Sequence, residues 1–97
     1  MNSKKTSHKA KGAFTVGNDR GMHTRPSTEL VKCASMFKSE IFLSYQKHRV
    51  NARSLLGILM LAATKCTKIV VEASGADAQE AVDSLIVLAK NNFNVQY

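Results

Sequence analysis

The chain has no tryptophan, one proline, two cysteines and six aromatic residues among its 97. Without Trp and with so few rings, a core has to be built mainly from aliphatic side chains, which belong to the 44% of residues that are apolar. Cys33 and Cys66 lie far apart and form no CxxC or Cys/His ligand cluster, which argues against both a disulfide framework and a zinc site. They read as reduced thiols with a buried structural role. Nowhere does an apolar run approach the roughly 20 residues of a membrane span. The basic N-terminus is not followed by an apolar stretch, so no secretory leader is expected, and the protein is expected in the cytoplasm. Acidic residues are also scarce, 7 against 14 Lys and Arg, for a net charge of +7. A chain of this length can enclose one modest core but not two.

The charge is unevenly distributed. Lys4, Lys5, Lys9 and Lys11 supply +4 before any apolar pattern starts, leaving +3 for the rest. Residues 1–11 therefore read as a disordered basic arm with almost nothing to bury, and residues 12–97 as the folded domain. Such an arm can attract nucleic acid without specificity. The sequence shows no stacking-aromatic motif or finger pattern, however, so nucleic acid is not expected as a partner.

Periodicity gives the order of elements. Ala13 to Val16 reads as a first strand, and Gly17 to Gly21 as a turn leading to His23. Pro26 suits the first turn of a helix, where its missing N–H leaves no bond unmade. Leu30, Val31, Ala34 and Phe37 follow at helical spacing. Ser39 to Tyr45 alternates, with Ile41, Leu43 and Tyr45 on one side. Gln46-Lys47-His48 is the expected turn and Arg49 to Ala52 the returning strand, although the turn lacks the Asn-Gly of a strong hairpin signal. Ser54 is a natural N-cap for a short helix carrying Leu55, Leu56, Leu59 and Met60. Lys68 to Ser74 alternates again, and Gly75 turns the chain. Asp77 with Glu80 three residues on reads as a capping box. Ala78, Ala81, Val82, Leu85 and Leu88 then mark a last helix ending near Asn91 or Asn92. The order is βαββαβα, an α+β chain in which alternating strands imply a sheet with only one covered face.

The stretch from Gly21 to Pro26 is the place for chemistry. His23 stands where a glycine turn enters a helix, and unpaired N–H groups and the positive end of the helix dipole favour an anion there. The guanidinium of Arg25, two residues on, is a planar donor fork suited to phosphate oxygens. The same field disfavours imidazolium and leaves the ring able to attack. His8 and His48 lack any such setting. The three His and two Cys make no metal set, and no cofactor is expected.

Gly21-Met22-His23-Thr24-Arg25-Pro26-Ser27 resembles the GLHxRPA phosphorylation motif of HPr, the histidine-containing phosphocarrier of the bacterial phosphoenolpyruvate-dependent sugar phosphotransferase system. Val50-Asn51-Ala52-Arg53-Ser54-Leu55-Leu56-Gly57 resembles that family's regulatory serine region. Ala73-Ser74-Gly75-Ala76-Asp77, leading into Ala81, resembles its last strand-to-helix junction. The three blocks stand in order from Ala13 to about Phe93. The resemblance implies an open-faced sandwich with three helices on one face of a four-stranded antiparallel sheet.

The same resemblance assigns functional residues. His23 would take phosphate on Nδ1 from phospho-enzyme I and pass it to an enzyme IIA domain, with Arg25 neutralising it. Ser54 would be the site of HPr kinase/phosphorylase, and Leu55, Leu56 and Leu59 a docking patch, although one or two of those leucines should be ordinary core. Thr24 and Arg20 would join partner binding. The protein is expected to be a monomer without membrane insertion.

Some positions depart from the family pattern. Arg20 adds charge beside the histidine and is expected to hold phosphate more firmly and slow its release. Cys66 replaces a glycine, at a cost of about 1–2 kcal/mol if φ is positive there. The competing reading is a regulatory binding module working through Ser54 and the Leu55/Leu56 patch. An independent enzyme fits least, because no second acid or base stands beside His23 and no loop cradles a nucleotide.

Overall fold

The computed structural model describes residues 8–16, 24–61 and 67–94. Its elements run β1 (Lys9–Val16), α1 (Thr24–Ala34), β2 (Glu40–Tyr45), β3 (His48–Asn51), α2 (Leu55–Leu61), β4 (Thr67–Ser74) and α3 (Ala78–Lys90), followed by a turn at Asn92–Asn94 in which Asn92 and Phe93 have positive φ. The strands form one antiparallel sheet in the order β1-β4-β2-β3. The first strand of the sequence therefore lies beside the last.

The helices pack on one face of this sheet, as alternation in the strands demands. Phe14, Val16, Ile41, Leu43, Ile69, Val71 and Ala73 point into the core, while Lys11, Thr15 and Lys68 on the other face are exposed. All five residues of the expected α3 stripe are buried. Leu30 and Ala34 are the buried apolar pair of α1, with Val31 and Phe37 half-buried against the core. Phe93 is fully buried, its ring set edge-on to Phe14 with the centroids 5.8 Å apart.

The ladder extends further towards the N-terminus than apolar residues alone suggest. It begins at Lys9, so three residues of the expected basic arm, Lys9 to Lys11, are paired with β4, and the His8 carbonyl accepts from the Gly75 amide at 2.8 Å. The first seven residues lie outside the described part. The reason lies in α3. A Cβ at Gly12 would come within 2.6 Å of Ile86 Cδ1 and 2.9 Å of Val82 Cγ1. Close approach of α3 thus takes the place of a large inward side chain in that strand.

Two local expectations need correction. Asp77 does not cap α3: its side chain makes no cap bond, and the capping box with Glu80 is not formed. The carboxylate instead reaches across the fold, accepting from the amides of Lys38 and Ser39 at 2.9 Å each and from the Ser39 hydroxyl. In the hairpin, His48 belongs to β3 and pairs with Tyr45. The turn narrows to Gln46-Lys47, with Gln46 at φ 56°, a left-handed conformation that L side chains disfavour.

The connection after α1 is held from both sides. Asp77 grips its amides, while the Arg53 guanidinium donates to the carbonyls of Phe37 and Ser39. Gly75 makes the approach possible. At φ 145° it occupies a conformation suited to glycine, and an added Cβ would lie 2.8 Å from Ser39 Cα.

Candidate phosphoacceptor site

α1 opens the site. Thr24 and Arg25 are exposed, whereas Pro26 and Ser27 turn inward and are buried. The first turn has no acidic residue, so among the described residues of that turn no carboxylate offsets the positive end of the helix dipole. The nearest acid within the helix, Glu29, is engaged with Lys32 at 3.3 Å. The exposed guanidinium of Arg25 thus stands at a helix start able to accept an anion. His23, Arg20 and Cys66 lie outside the described residues.

Ser27 was not singled out by sequence reasoning except as the last residue of the motif. It is fully buried, and its hydroxyl has no hydrogen-bond partner among the described residues. Thr28 in the same helix and Ser35 just after it each donate to the carbonyl four residues back, at 2.7 and 2.8 Å. An unpartnered buried hydroxyl costs about 1–3 kcal/mol. The departure from alanine in the GLHxRPA pattern was the available signal.

α2 packs beside α1, and Arg53, just before it, donates to the carbonyls that follow the end of α1. Ser54 caps α2: its Oγ accepts from the Gly57 amide at 3.0 Å, and its carbonyl from Ile58 at 3.0 Å. Asn51 prepares this turn by accepting from the Arg53 amide through its side chain at 2.8 Å. None of the three expected leucines is fully buried. Leu55 and Leu56 are 36% and 68% exposed, and Leu59 is half-buried. The core positions of α2 are Ile58 and Leu61 instead, and Met60, 77% exposed, extends the apolar surface. The spacing of Ile58 and Leu61, three apart, carried that signal.

Other expected chemistry is placed elsewhere. His8 and His48 are exposed on β1's approach and on β3. Cys33 is a free, half-buried thiol whose pKa is pushed up by burial, which disfavours the reactive thiolate. Among the described residues no group of three or more His, Cys, Asp or Glu could hold a metal. No described helix is long and apolar enough to cross a membrane.

The described residues form an open-faced α+β domain of the sandwich class, with Thr24 and Arg25 exposed at the start of α1. The comparisons with known proteins agree with that class. The family model for the PTS HPr component phosphorylation site matches residues 10–91. The phosphocarrier protein HPr of Neisseria meningitidis is 40% identical over 83 residues, covering 86% of this chain and 93% of the relative. The crystal structure of HPr-C-His from Thermoanaerobacter tengcongensis is similar with a TM-score of 0.84 at 30% identity, covering 91% of this chain and 99% of the other. Crh of Bacillus subtilis, described as a catabolite repression containing protein and an intertwined dimer, is similar with a TM-score of 0.69 at 32% identity, covering 80% and 90%. The chain belongs to the HPr family of phosphocarriers of the phosphotransferase system. A phosphocarrier conveys a group and is not a catalyst in the usual sense.

Proposed function

We propose that the chain accepts a phosphoryl group on Nδ1 of His23 from phospho-enzyme I, charged in turn by phosphoenolpyruvate, and delivers it to enzyme IIA domains. The N–P bond to His23 forms as the bond from phosphorus to the donor breaks, and the sequence reverses at the acceptor. Arg25 offsets the charge on the phosphoryl oxygens during both transfers, and the start of α1 adds the dipole of its free amides. Thr24, Arg20, Leu55, Leu56 and Leu59 would contact the partners. The observation that carries this reading is the match of the phosphorylation-site model over residues 10–91, joined to an exposed Arg25 in a first turn without acids.

The test is incubation with phosphoenolpyruvate and enzyme I, followed by intact mass before and after acid treatment. One acid-labile phosphate is expected on the parent and none on His23→Ala. A labile adduct that survives in the variant would move the site elsewhere.

Ser54 fits a regulatory role for HPr kinase/phosphorylase. A phosphate there would sit at the start of α2 beside exposed Leu55 and Leu56, adding charge to the docking surface. A Ser54→Asp variant is expected to accept phosphate from enzyme I more slowly while keeping its fold. Equal rates would remove the inhibitory role.

The similarity to Crh keeps a second reading in view, a regulatory module acting through Ser54 and the Leu55/Leu56 patch without sugar transport. A missing labile adduct on His23, together with Ser54 phosphorylation, would favour it.

A further inference from the structure

The sheet face that no helix covers carries its own constellation. Across β1, β4, β2 and β3, one row reads Lys11, Glu72, Phe42 and Asn51, and the next Ala13, Val70, Ser44 and Arg49. Arg49 lies diagonally across the hairpin from Phe42, with its guanidinium carbon 4.0 Å from the ring centroid. Its Nε is 3.8 Å from Glu72 Oε1, and its side chain is still 57% exposed. These residues, with Lys9, Lys11 and Glu40, line an open depression of about 480 Å³.

We infer that this face binds single-stranded RNA, with a base stacking on the Phe42–Arg49 pair and the phosphate backbone running along Lys9, Lys11 and Lys68. The sequence shows Phe42 and Arg49 only as two residues of different strands; the fold stacks them on solvent. An aromatic ring with a guanidinium plane over it is a surface on which a base of any identity can stack. Lys9, Lys11, Arg49 and Lys68 outnumber Glu40 and Glu72 on this face, and Glu72 is drawn to Arg49. An acidic protein segment would use the lysines, but it would gain little from a flat stacking platform. The platform therefore favours a nucleotide chain. This inference does not depend on the phosphocarrier reading, since none of these residues belongs to the α1 or α2 surface.

The test is fluorescence anisotropy of the full chain with a labelled oligouridylate of about 12 nucleotides, at several salt concentrations. Affinity is expected to fall with added salt. Phe42→Leu, which removes the ring but keeps an apolar side chain, should weaken binding at least about fivefold. Arg49→Lys, which keeps the charge but loses the plane, should weaken it similarly. Neither should change phosphoryl acceptance. Thermal melts of both variants identify any that fail to fold, and Arg49→Lys alone suffices if Phe42→Leu does. Affinity unchanged in the folded variants, with binding lost on Lys4→Ala/Lys5→Ala, would assign the RNA to the arm and overturn the proposal. Equally tight binding of polyglutamate at the same face would overturn it in favour of an acidic protein.

Discussion

The two ends of α1 are built on opposite plans. At its exit, Phe37 to Ser39 are gripped by the Asp77 carboxylate through amides and by the Arg53 guanidinium through carbonyls. At its entry, Thr24 and Arg25 are exposed, and the Ser27 hydroxyl is buried without a partner among the described residues. The exit spends its polar groups on the fold. At the entry the Arg25 guanidinium is left exposed, while Pro26 and Ser27 beside it are buried. On the proposed function, the clamp and the phosphate-binding group are thus separated along a helix of 11 residues.

If that separation holds, Arg25→Ala should have the largest effect, and on transfer alone. Loss of a charge-stabilising donor typically costs about 10²–10³ in rate. The rate of phosphate acceptance from enzyme I should fall at least tenfold on this scale, with an unchanged melting temperature. A variant that melts early yet transfers normally would break the comparison from the functional side.

The exit is expected to behave in the reverse way. The Ser39 hydroxyl first, then the Lys38 amide, hold the Asp77 carboxyl below its ordinary pKa. A lowered native pKa means that the ionised form is favoured by folding. The stabilising contribution is complete above the usual carboxylate value of about 3.9 and is lost as the pH falls through the lower native value. Asp77→Asn should therefore melt earlier than the parent at neutral pH, with the gap closing in acid, as thermal melts across that range would show. Phosphate acceptance by the folded variant should be unchanged. A gap that stays constant with pH would mean that the carboxylate's charge does not matter at the clamp.

The smallest expected effect sharpens the comparison at the entry. Ser27→Ala removes a buried hydroxyl that has no partner among the described residues, and should stabilise the domain by about 1 kcal/mol in denaturant unfolding. A loss of stability instead would show that the hydroxyl has found an acceptor in solution.

What was legible in the sequence was whatever repeats with a regular period. The α3 stripe and the alternating residues of β2 and β4 announce themselves because burial on one face forces the pattern. The motif from Gly21 to Ser27 was equally legible, and of its side chains Arg25 and Thr24 lie exposed at the start of α1. Asp77 was misread because a capping box is judged over three residues, whereas its actual partners lie 38 and 39 positions away. The start of β1 was missed for a related reason. Lys9 to Gly12 has no large apolar side chain to alternate, and only the closeness of Val82 and Ile86 shows why small residues suffice there. In α2, a helix with apolar residues on most sides conceals its buried face until a neighbour selects Ile58 and Leu61.

The pairing of β1 with β4 also governs how the chain can come together. Lys9 meets Ser74 and Val16 meets Thr67, so β1 has no ladder partner until β4, far along the chain, has been made. Such distant pairing is slow to form, because a long loop must close before it is rewarded. The hairpin of β2 and β3, with only Gln46 and Lys47 between its strands, can form much earlier. In the nascent chain β1 therefore joins the edge of the sheet only after β4 has been made.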